Sequence, residues 1–100
     1  MQLPGRVMIA ARAYERVAAT VIADELGVAA RGARAVVRDA DGAIAADLTC
    51  GIGLGEAPIA QRAARARTRT AERLAEITGA RVADVRLRVS HVVDERGGAS

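Results

Sequence analysis

Aromatic residues are almost absent from this chain of 100 residues, which has no Phe, no Trp and a single Tyr, Tyr14. The hydrophobic core must therefore be packed from Ala, Val, Ile and Leu, and most of these side chains bury less area than an aromatic ring. A chain of this length suffices for one domain with a modest two-layer core. The lack of aromatics also argues against a single-stranded nucleic-acid platform, because such platforms stack bases on aromatic side chains.

Lysine is missing as well. All fifteen basic residues are Arg, and with twelve acidic residues the formal net charge is +3. A guanidinium stays charged at any physiological pH and presents a planar fork that fits carboxylates and phosphates. This charge balance permits an acidic partner without identifying one.

Cysteine and histidine each occur once, as Cys50 and His91. One Cys cannot form an internal disulfide, and Cys50 falls on the inward parity of a predicted strand, which indicates a core residue. Ser90 and His91 are consecutive in another predicted strand, so we expect them to point to opposite faces and not to act as a catalytic pair. Paired carboxylates and metal-ligand spacings are not recognisable, so we predict a non-enzymatic protein without catalytic residues, metal or cofactor.

Long apolar runs are missing too, and the sequence opens without the charged and apolar regions of a signal peptide. Eighteen or more consecutive apolar residues would be needed to predict a membrane-spanning helix. We therefore expect a cytoplasmic protein.

The chain is organised around a long helix predicted over Pro58–Thr78. Pro58 suits a helix start, and Gly79 suits the position just past a helix end. The apolar stripe of this helix recurs at spacings of three and four, which places it on one face. Its members are Ile59, Ala63, Ala66, Thr70, Leu74 and Ile77.

Four strands and one more helix surround it. Strict alternation predicts strands over Arg6–Ile9, Ala33–Asp39, Ile44–Ile52 and Val82–Val93, and helical spacing predicts a first helix over Arg12–Leu26, ending at Gly27. Asp41-Gly42 between the second and third strands is a strong hairpin signal, because Gly adopts the positive φ of a tight turn.

The predicted order β-α-β-β-α-β is typical of an α+β fold with one antiparallel four-stranded sheet and both helices on one face. We expect a single domain over residues 6–93, with a flexible lead-in at 1–5 and a flexible tail at 94–100. The second and fourth strands would form the sheet edges and offer unpaired backbone for self-assembly.

The sheet face opposite the helices is the main candidate for a binding surface, because a half-covered sheet shows one polar face to solvent. Strand parity places five Arg there, with Asp47 and Thr49 between them. Such a face could bind phosphates or an acidic protein, or its Arg could merely fill solvent positions in an Arg-rich sequence. The five are Arg6, Arg34, Arg38, Arg86 and Arg88.

A second Arg stripe follows the second helix. Glu72 and Glu76 stand three residues after Arg69 and Arg73, a spacing that allows weak pairing within the helix. Arg62 and Arg65 lack such an acid and are the second candidate contact surface. The opposite helix face is too rich in Ala to insert into a membrane.

Glycines 51, 53 and 55 are predicted to form the connection from the third strand into this helix. Phosphate-binding loops occupy the same place between a strand and a helix. Those loops have a different Gly spacing, and the P-loop motif also requires a Lys, which this chain lacks. A flexible connection is the simpler interpretation.

The layout resembles the alkaline-shock-protein family of bacterial envelope stress response proteins. The likeness runs from about Gly5 to Asp94 and is carried by Gly5-Arg6-Val7-Met8-Ile9-Ala10, by Glu25-Leu26-Gly27-Val28-Ala29, by Gly53 with Pro58-Ile59-Ala60, and by Ile77-Thr78-Gly79 before a strand ending Val92-Val93-Asp94. This resemblance implies a non-enzymatic protein that assembles with itself or docks to a membrane-anchored partner.

The resemblance and the Arg-rich surfaces together lead us to predict an envelope stress scaffold that acts by self-assembly or by docking to a membrane-associated partner, with a peripheral position at the inner face of the cell membrane as a further option. The expected interaction residues are Arg34, Arg38, Arg86 and Arg88 on the sheet, and Arg62 and Arg65 on the helix. Contact with anionic lipid is a further option. The alternative is a small basic nucleic-acid-binding module that uses the Arg-rich sheet face, which the lack of aromatics makes the weaker hypothesis.

Overall fold

A computed structural model describes the backbone of residues 4–93 and the side chains of residues 11–93. The predicted tail at 94–100 and the first three residues of the predicted lead-in lie outside this range. Within it the fold is α+β, as predicted. The elements are α1 (Pro4–Leu26), a 3-10 turn (Ala30–Gly32), β1 (Ala33–Ala40), β2 (Ala43–Gly53), α2 (Ile59–Thr78) and β3 (Val82–Val93).

The described strands form a three-stranded mixed sheet in the order β1-β2-β3. β1 and β2 pair antiparallel, whereas β2 and β3 pair parallel. The prediction of an antiparallel four-stranded sheet is therefore wrong. The hairpin between β1 and β2 makes them antiparallel, and α2 carries the chain back along the sheet, so β3 starts at the same end as β2.

Helix α1 explains the missing fourth strand. The segment Arg6–Ile9, predicted as a strand, belongs to α1, and so do Pro4 and Gly5 of the predicted lead-in. Pro is tolerated in the first turn of a helix, and the Ala- and Arg-rich stretch that follows contains no further Gly or Pro up to the helix end. A four-residue alternation is too weak to stop the adjoining helix from propagating through it.

The turns follow local sequence rules. Asp41 and Gly42 have φ values of 54° and 87° and join Ala40 to its partner Ala43, which confirms the predicted hairpin. Gly27 and Gly79 end the two helices with φ values of 73° and 72°. Only residues that tolerate this left-handed conformation end helices so abruptly.

The core lies between the sheet and the two helices, which pack on one face as predicted. Alternate residues of β2 point into it, and Cys50 is fully buried among them, as its parity predicted. Ala66 and Leu74 of α2 close the other side. The largest apolar side chains buried in this core are aliphatic, with no aromatic ring among them: Ile22, Leu26, Leu48, Ile52 and Leu74.

Candidate functional site

The outer face, meaning the sheet surface opposite the helices, carries all four of the predicted sheet Arg that lie in β1 and β3. Strand register arranges its side chains in three rows across the sheet. The sixth residue, predicted as the fifth Arg of this face, lies in α1 instead. The rows are Arg38–Ala45–Asp84, Val36–Asp47–Arg86 and Arg34–Thr49–Arg88.

Two of the four outer-face Arg have an acidic partner. Arg38 Nη2 lies 3.3 Å from Asp47 Oδ2, and Arg86 Nε lies 3.4 Å from Asp84 Oδ2. Both pairs are exposed to solvent, so each contributes little to stability. The carboxylates of Asp47 and Asp84 nevertheless neutralise part of the positive charge of Arg38 and Arg86, so these two Arg are less available to a binding partner.

The third row, Arg34–Thr49–Arg88, differs from the other two. Its three side chains are exposed, and neither guanidinium hydrogen-bonds to a carboxylate of residues 11–93. Arg34 and Arg88 stand two strand spacings apart, about 10 Å between backbones. Leu48 and Leu87 join Asp47, Thr49, Arg86 and Arg88 around an adjacent depression of about 420 Å³. The outer face thus has one row whose positive charge no carboxylate of the described side chains neutralises.

A β-bulge in β3 lies next to this row, towards the end of the sheet. Cys50 pairs with Val89 and Ile52 with Val92, so Ser90 and His91 together oppose Gly51. A Cβ on Gly51 would come within 3.0 Å of His91 Nε2, which places the imidazole on the outer face above this glycine. The extra residue shifts the alternation of β3, as bulges do.

Because of this bulge, the expectation that Ser90 and His91 point to opposite faces is wrong. Ser90 Oγ and His91 Nδ1 are 2.8 Å apart and form a hydrogen bond. Within residues 11–93 no carboxylate bonds to the other ring nitrogen, so the orienting third group of a catalytic triad is missing from this part of the chain. The pair adds a hydroxyl and an imidazole to the polar surface beside Arg88.

The two candidate contact residues of α2, Arg62 and Arg65, have different environments in the structure. Arg62 is half-buried and donates from Nη1 to the Gly53 carbonyl over 2.7 Å, so it holds the β2–α2 connection and is not a free contact residue. Gly51 and Gly53, predicted as loop residues, belong to β2. Arg65 is exposed, as predicted.

The remaining Arg of the stripe bridge the two helices. Arg69 Nε lies 3.2 Å from Glu25 Oε1, and Arg73 Nη1 lies 2.8 Å from Asp24 Oδ2 and 3.0 Å from Glu25 Oε2. Hydrogen bonds to Asp24 and then to Glu25 raise the pKa of Arg73. The predicted pairing with Glu72 and Glu76 is therefore wrong, because the acidic end of α1 lies closer to these guanidinia.

Sequence reasoning missed one polar contact at the edge of the sheet. Glu15 Oε2 accepts a hydrogen bond from the backbone N–H of Val37 over 3.0 Å. Glu15 lies between Tyr14 and Val17, which are both half-buried, and its position beside the apolar face was the available signal. The β1 edge is therefore partly occupied by α1.

Other kinds of site find no support among the described residues. No group of three or more His, Cys, Asp or Glu side chains there could hold a metal ion. Burial raises the pKa of the Cys50 thiol, which disfavours the reactive thiolate. Neither helix has, within the described residues, an apolar stretch long enough to cross a membrane.

Comparison of the chain with known proteins gave no match. No protein-family model matches it, no curated protein is significantly similar, and no solved structure matches either. The resemblance to the alkaline-shock-protein family therefore stays a prediction.

Proposed function

We propose that this chain is a non-enzymatic scaffold protein that docks an acidic segment of a partner protein on its outer face and assembles with itself. The resemblance to envelope stress proteins adds a membrane-associated partner to this proposal. The observation that carries the docking step is the row Arg34–Thr49–Arg88, in which two exposed guanidinia, without a carboxylate partner among residues 11–93, flank a hydroxyl.

The chemistry of this row suits carboxylates. A guanidinium binds a carboxylate through two parallel N–H donors, and the Thr49 hydroxyl can donate a third hydrogen bond. Two guanidinia about 10 Å apart fit two acidic side chains on one extended peptide, since alternate residues of a strand repeat at roughly 7 Å and longer side chains cover the remainder.

Val36 favours a protein partner over a nucleic acid. This residue is 55% exposed in the row next to Arg34, so it offers apolar surface that a protein side chain can cover and that a phosphate backbone does not use. The three outer-face rows contain no Phe, Tyr or Trp on which a base could stack, and the imidazole of His91 is the single stacking ring that the described residues bring to this face. The nucleic-acid alternative therefore has the weaker support.

The test is binding of a fluorescent poly-glutamate peptide to the variant R34Q/R88Q. The matched control is R12Q/R16Q, which removes the same charge from exposed positions on α1. We expect the outer-face variant to lose about tenfold in affinity, since each charged contact contributes roughly 0.5–1 kcal/mol, and the control to lose much less. Thermal melts should show that both variants fold.

Equal losses in the two variants would mean that only net charge matters and would contradict docking at this row. Two further probes separate the alternatives. Tighter binding of a single-stranded oligonucleotide than of the peptide, with a steep salt dependence, would favour the nucleic-acid module. Binding to phosphatidylglycerol vesicles that depends on Arg34 and Arg88 would replace the protein partner with direct lipid contact.

A further inference from the structure

The outward edge of β3 is one of the two outer strand edges of the described sheet, and it is regular from Asp84 to Val89, between two shifts in register. β3 has twelve residues, from Val82 to Val93, and in the described sheet it pairs with β2 on one side alone. A long edge with unpaired N–H and C=O groups is a template for another strand. The β1 edge is less available because Glu15 already binds the Val37 N–H.

Asp84 and Arg86 of β3 carry opposite charges on either side of Val85, so this short stretch is complementary to a second, antiparallel copy of itself. Asp84 and Arg86 flank Val85 and lie on the outer face, with side chains 56% and 76% exposed. In an antiparallel pair of two copies related by a two-fold axis at Val85, Asp84 stands opposite Arg86 of the second copy, and Arg86 stands opposite its Asp84. Opposite charges facing each other across strands stabilise a sheet.

From this complementarity we propose that a second copy of this chain pairs with β3 along its free edge, antiparallel and centred on Val85. The inference deepens the self-assembly part of the proposed function and does not depend on docking at the outer face. The two Asp84–Arg86 contacts within strands, one in each copy, are then exchanged for two contacts between the strands.

Neighbouring registers are less favourable. A two-fold axis at residue 84 sets Asp84 against its own copy. An axis at residue 86 brings Asp84 opposite Arg88 but sets Arg86 against its own copy, whereas the axis at Val85 creates no pair of like charges. An axis at residue 87 sets Arg86 against Arg88. Like charges directly opposite each other destabilise a strand pair, so the order of charges selects the register centred on Val85.

The groove between α2 and this edge adds a second complementary pair. It encloses about 390 Å³ and is lined by Arg67, Thr68, Ala71 and Glu72 of α2 and by residues 82–85 of β3. Pairing centred on Val85 keeps both helices on one face and sets the two α2 helices antiparallel. Arg67 then lies towards Glu72 of the second copy, and the exposed Ala83 is covered.

Charge reversal tests this dimer by sedimentation velocity across a wide concentration range. The single variants D84R and R86D each place like charges opposite one another at two symmetric positions, so we expect each to weaken dimerisation about tenfold or more. Because both side chains are exposed, circular dichroism melts recorded at concentrations where the unmodified protein is monomeric should remain close to those of the unmodified protein.

The decisive sample mixes the two variants. In a mixed pair, Arg at position 84 of one chain faces Asp at position 86 of the other, and the second symmetric position holds Arg86 against Asp84. We expect the mixture to dimerise as well as the unmodified protein, whereas each variant alone does not. R12Q/R16Q serves as the charge control and should dimerise normally.

Three outcomes would overturn the inference: an unmodified protein that stays monomeric, single variants that dimerise normally, or a mixture that stays as weak as its components. Peptide binding distinguishes this failure from failure of docking. R34Q/R88Q should lose the poly-glutamate peptide and keep the dimer, because its substitutions lie outside the Asp84–Arg86 pair.

Discussion

The carboxylate of Glu15 in α1 binds the backbone N–H of Val37 in β1, with Oε2 and N separated by 3.0 Å. This N–H points away from β2, so Val37 belongs to a pair of the antiparallel ladder that does not exchange hydrogen bonds with the neighbouring strand. A side chain from a helix thus takes a position that a further strand could have occupied, and the sheet edge is protected without a strand.

Removal of this acceptor should destabilise the protein. We expect Glu15→Leu to lower the free energy of unfolding by about 1–2 kcal/mol, because a partly buried N–H loses its charged partner. Glu15→Gln keeps an oxygen acceptor and should cost less than half as much. Urea denaturation measures both, and faster hydrogen exchange at the Val37 amide in the Leu variant identifies the site. Equal costs would contradict a role for the hydrogen bond.

Gly53 should not tolerate a side chain. A Cβ at this position would lie 2.9 Å from the carbonyl oxygen of Gly27 and 3.3 Å from that of Leu26, and both are backbone atoms that cannot rotate away. We expect Gly53→Ala to destabilise the protein by about 1–3 kcal/mol, as overpacking does.

Gly32→Ala is the matched control for that variant, because a Cβ there meets no atom within 4 Å. Its φ is not in the left-handed region, so Ala should be neutral or slightly stabilising through the unfolded chain. Thermal melts compare the two. A Gly53→Ala protein as stable as Gly32→Ala would show that the end of α1 moves freely away from β2.

Cys50 should make stability depend on alkaline pH. Burial raises the pKa of its thiol above the ordinary value of 9.0, so the folded protein holds this proton more tightly than the unfolded chain does. The stabilisation that this proton gives is complete below the unfolded pKa and is lost as the pH rises through the folded pKa. Unfolding free energies measured between neutral and alkaline pH should therefore fall.

Cys50→Ala separates this effect from other titrations. The variant should lose about 1 kcal/mol at neutral pH through the missing sulfur and should show a shallower decline above pH 9.0. A thiol reagent gives an independent reading, since fully buried Cys50 should react at the rate of unfolding. Rapid reaction in the folded state, or parallel pH profiles, would contradict the argument.

Much of the fold could be predicted because its signals are local. The positive φ of Gly27, Gly79 and Gly42 follows from residue chemistry within a single turn. Strand alternation placed Cys50 inside and Arg34 outside, since side chains alternate with a period of two wherever a strand is regular. These features depend on neighbours in sequence and not on the way the elements pack.

For the candidate interaction residues, the sequence predicted the shared face of the sheet Arg but not their partners. Arg34, Arg38, Arg86 and Arg88 share one face, as parity required. Strand parity could not predict which Arg form an ion pair or hydrogen bond within the protein. On the sheet, Arg38 pairs with Asp47 across the hairpin, and on α2, Arg62 donates to the Gly53 carbonyl. Long side chains choose among acceptors within several ångströms, and those acceptors come from different elements.

Residue pattern and turn chemistry alone established a small, Arg-rich α+β chain with two helices on one face of a sheet and a hairpin at Asp41-Gly42. Tertiary structure decided the number of strands and the parallel pairing of β3 with β2. It also decided the bulge that brings Ser90 to His91 and the ion pair of Arg73 with Glu25 between the two helices. The reason is physical. Turns and periodicity are set by nearest neighbours, whereas register, bulges and ion pairs arise where segments far apart in sequence compete for the same backbone and the same charge.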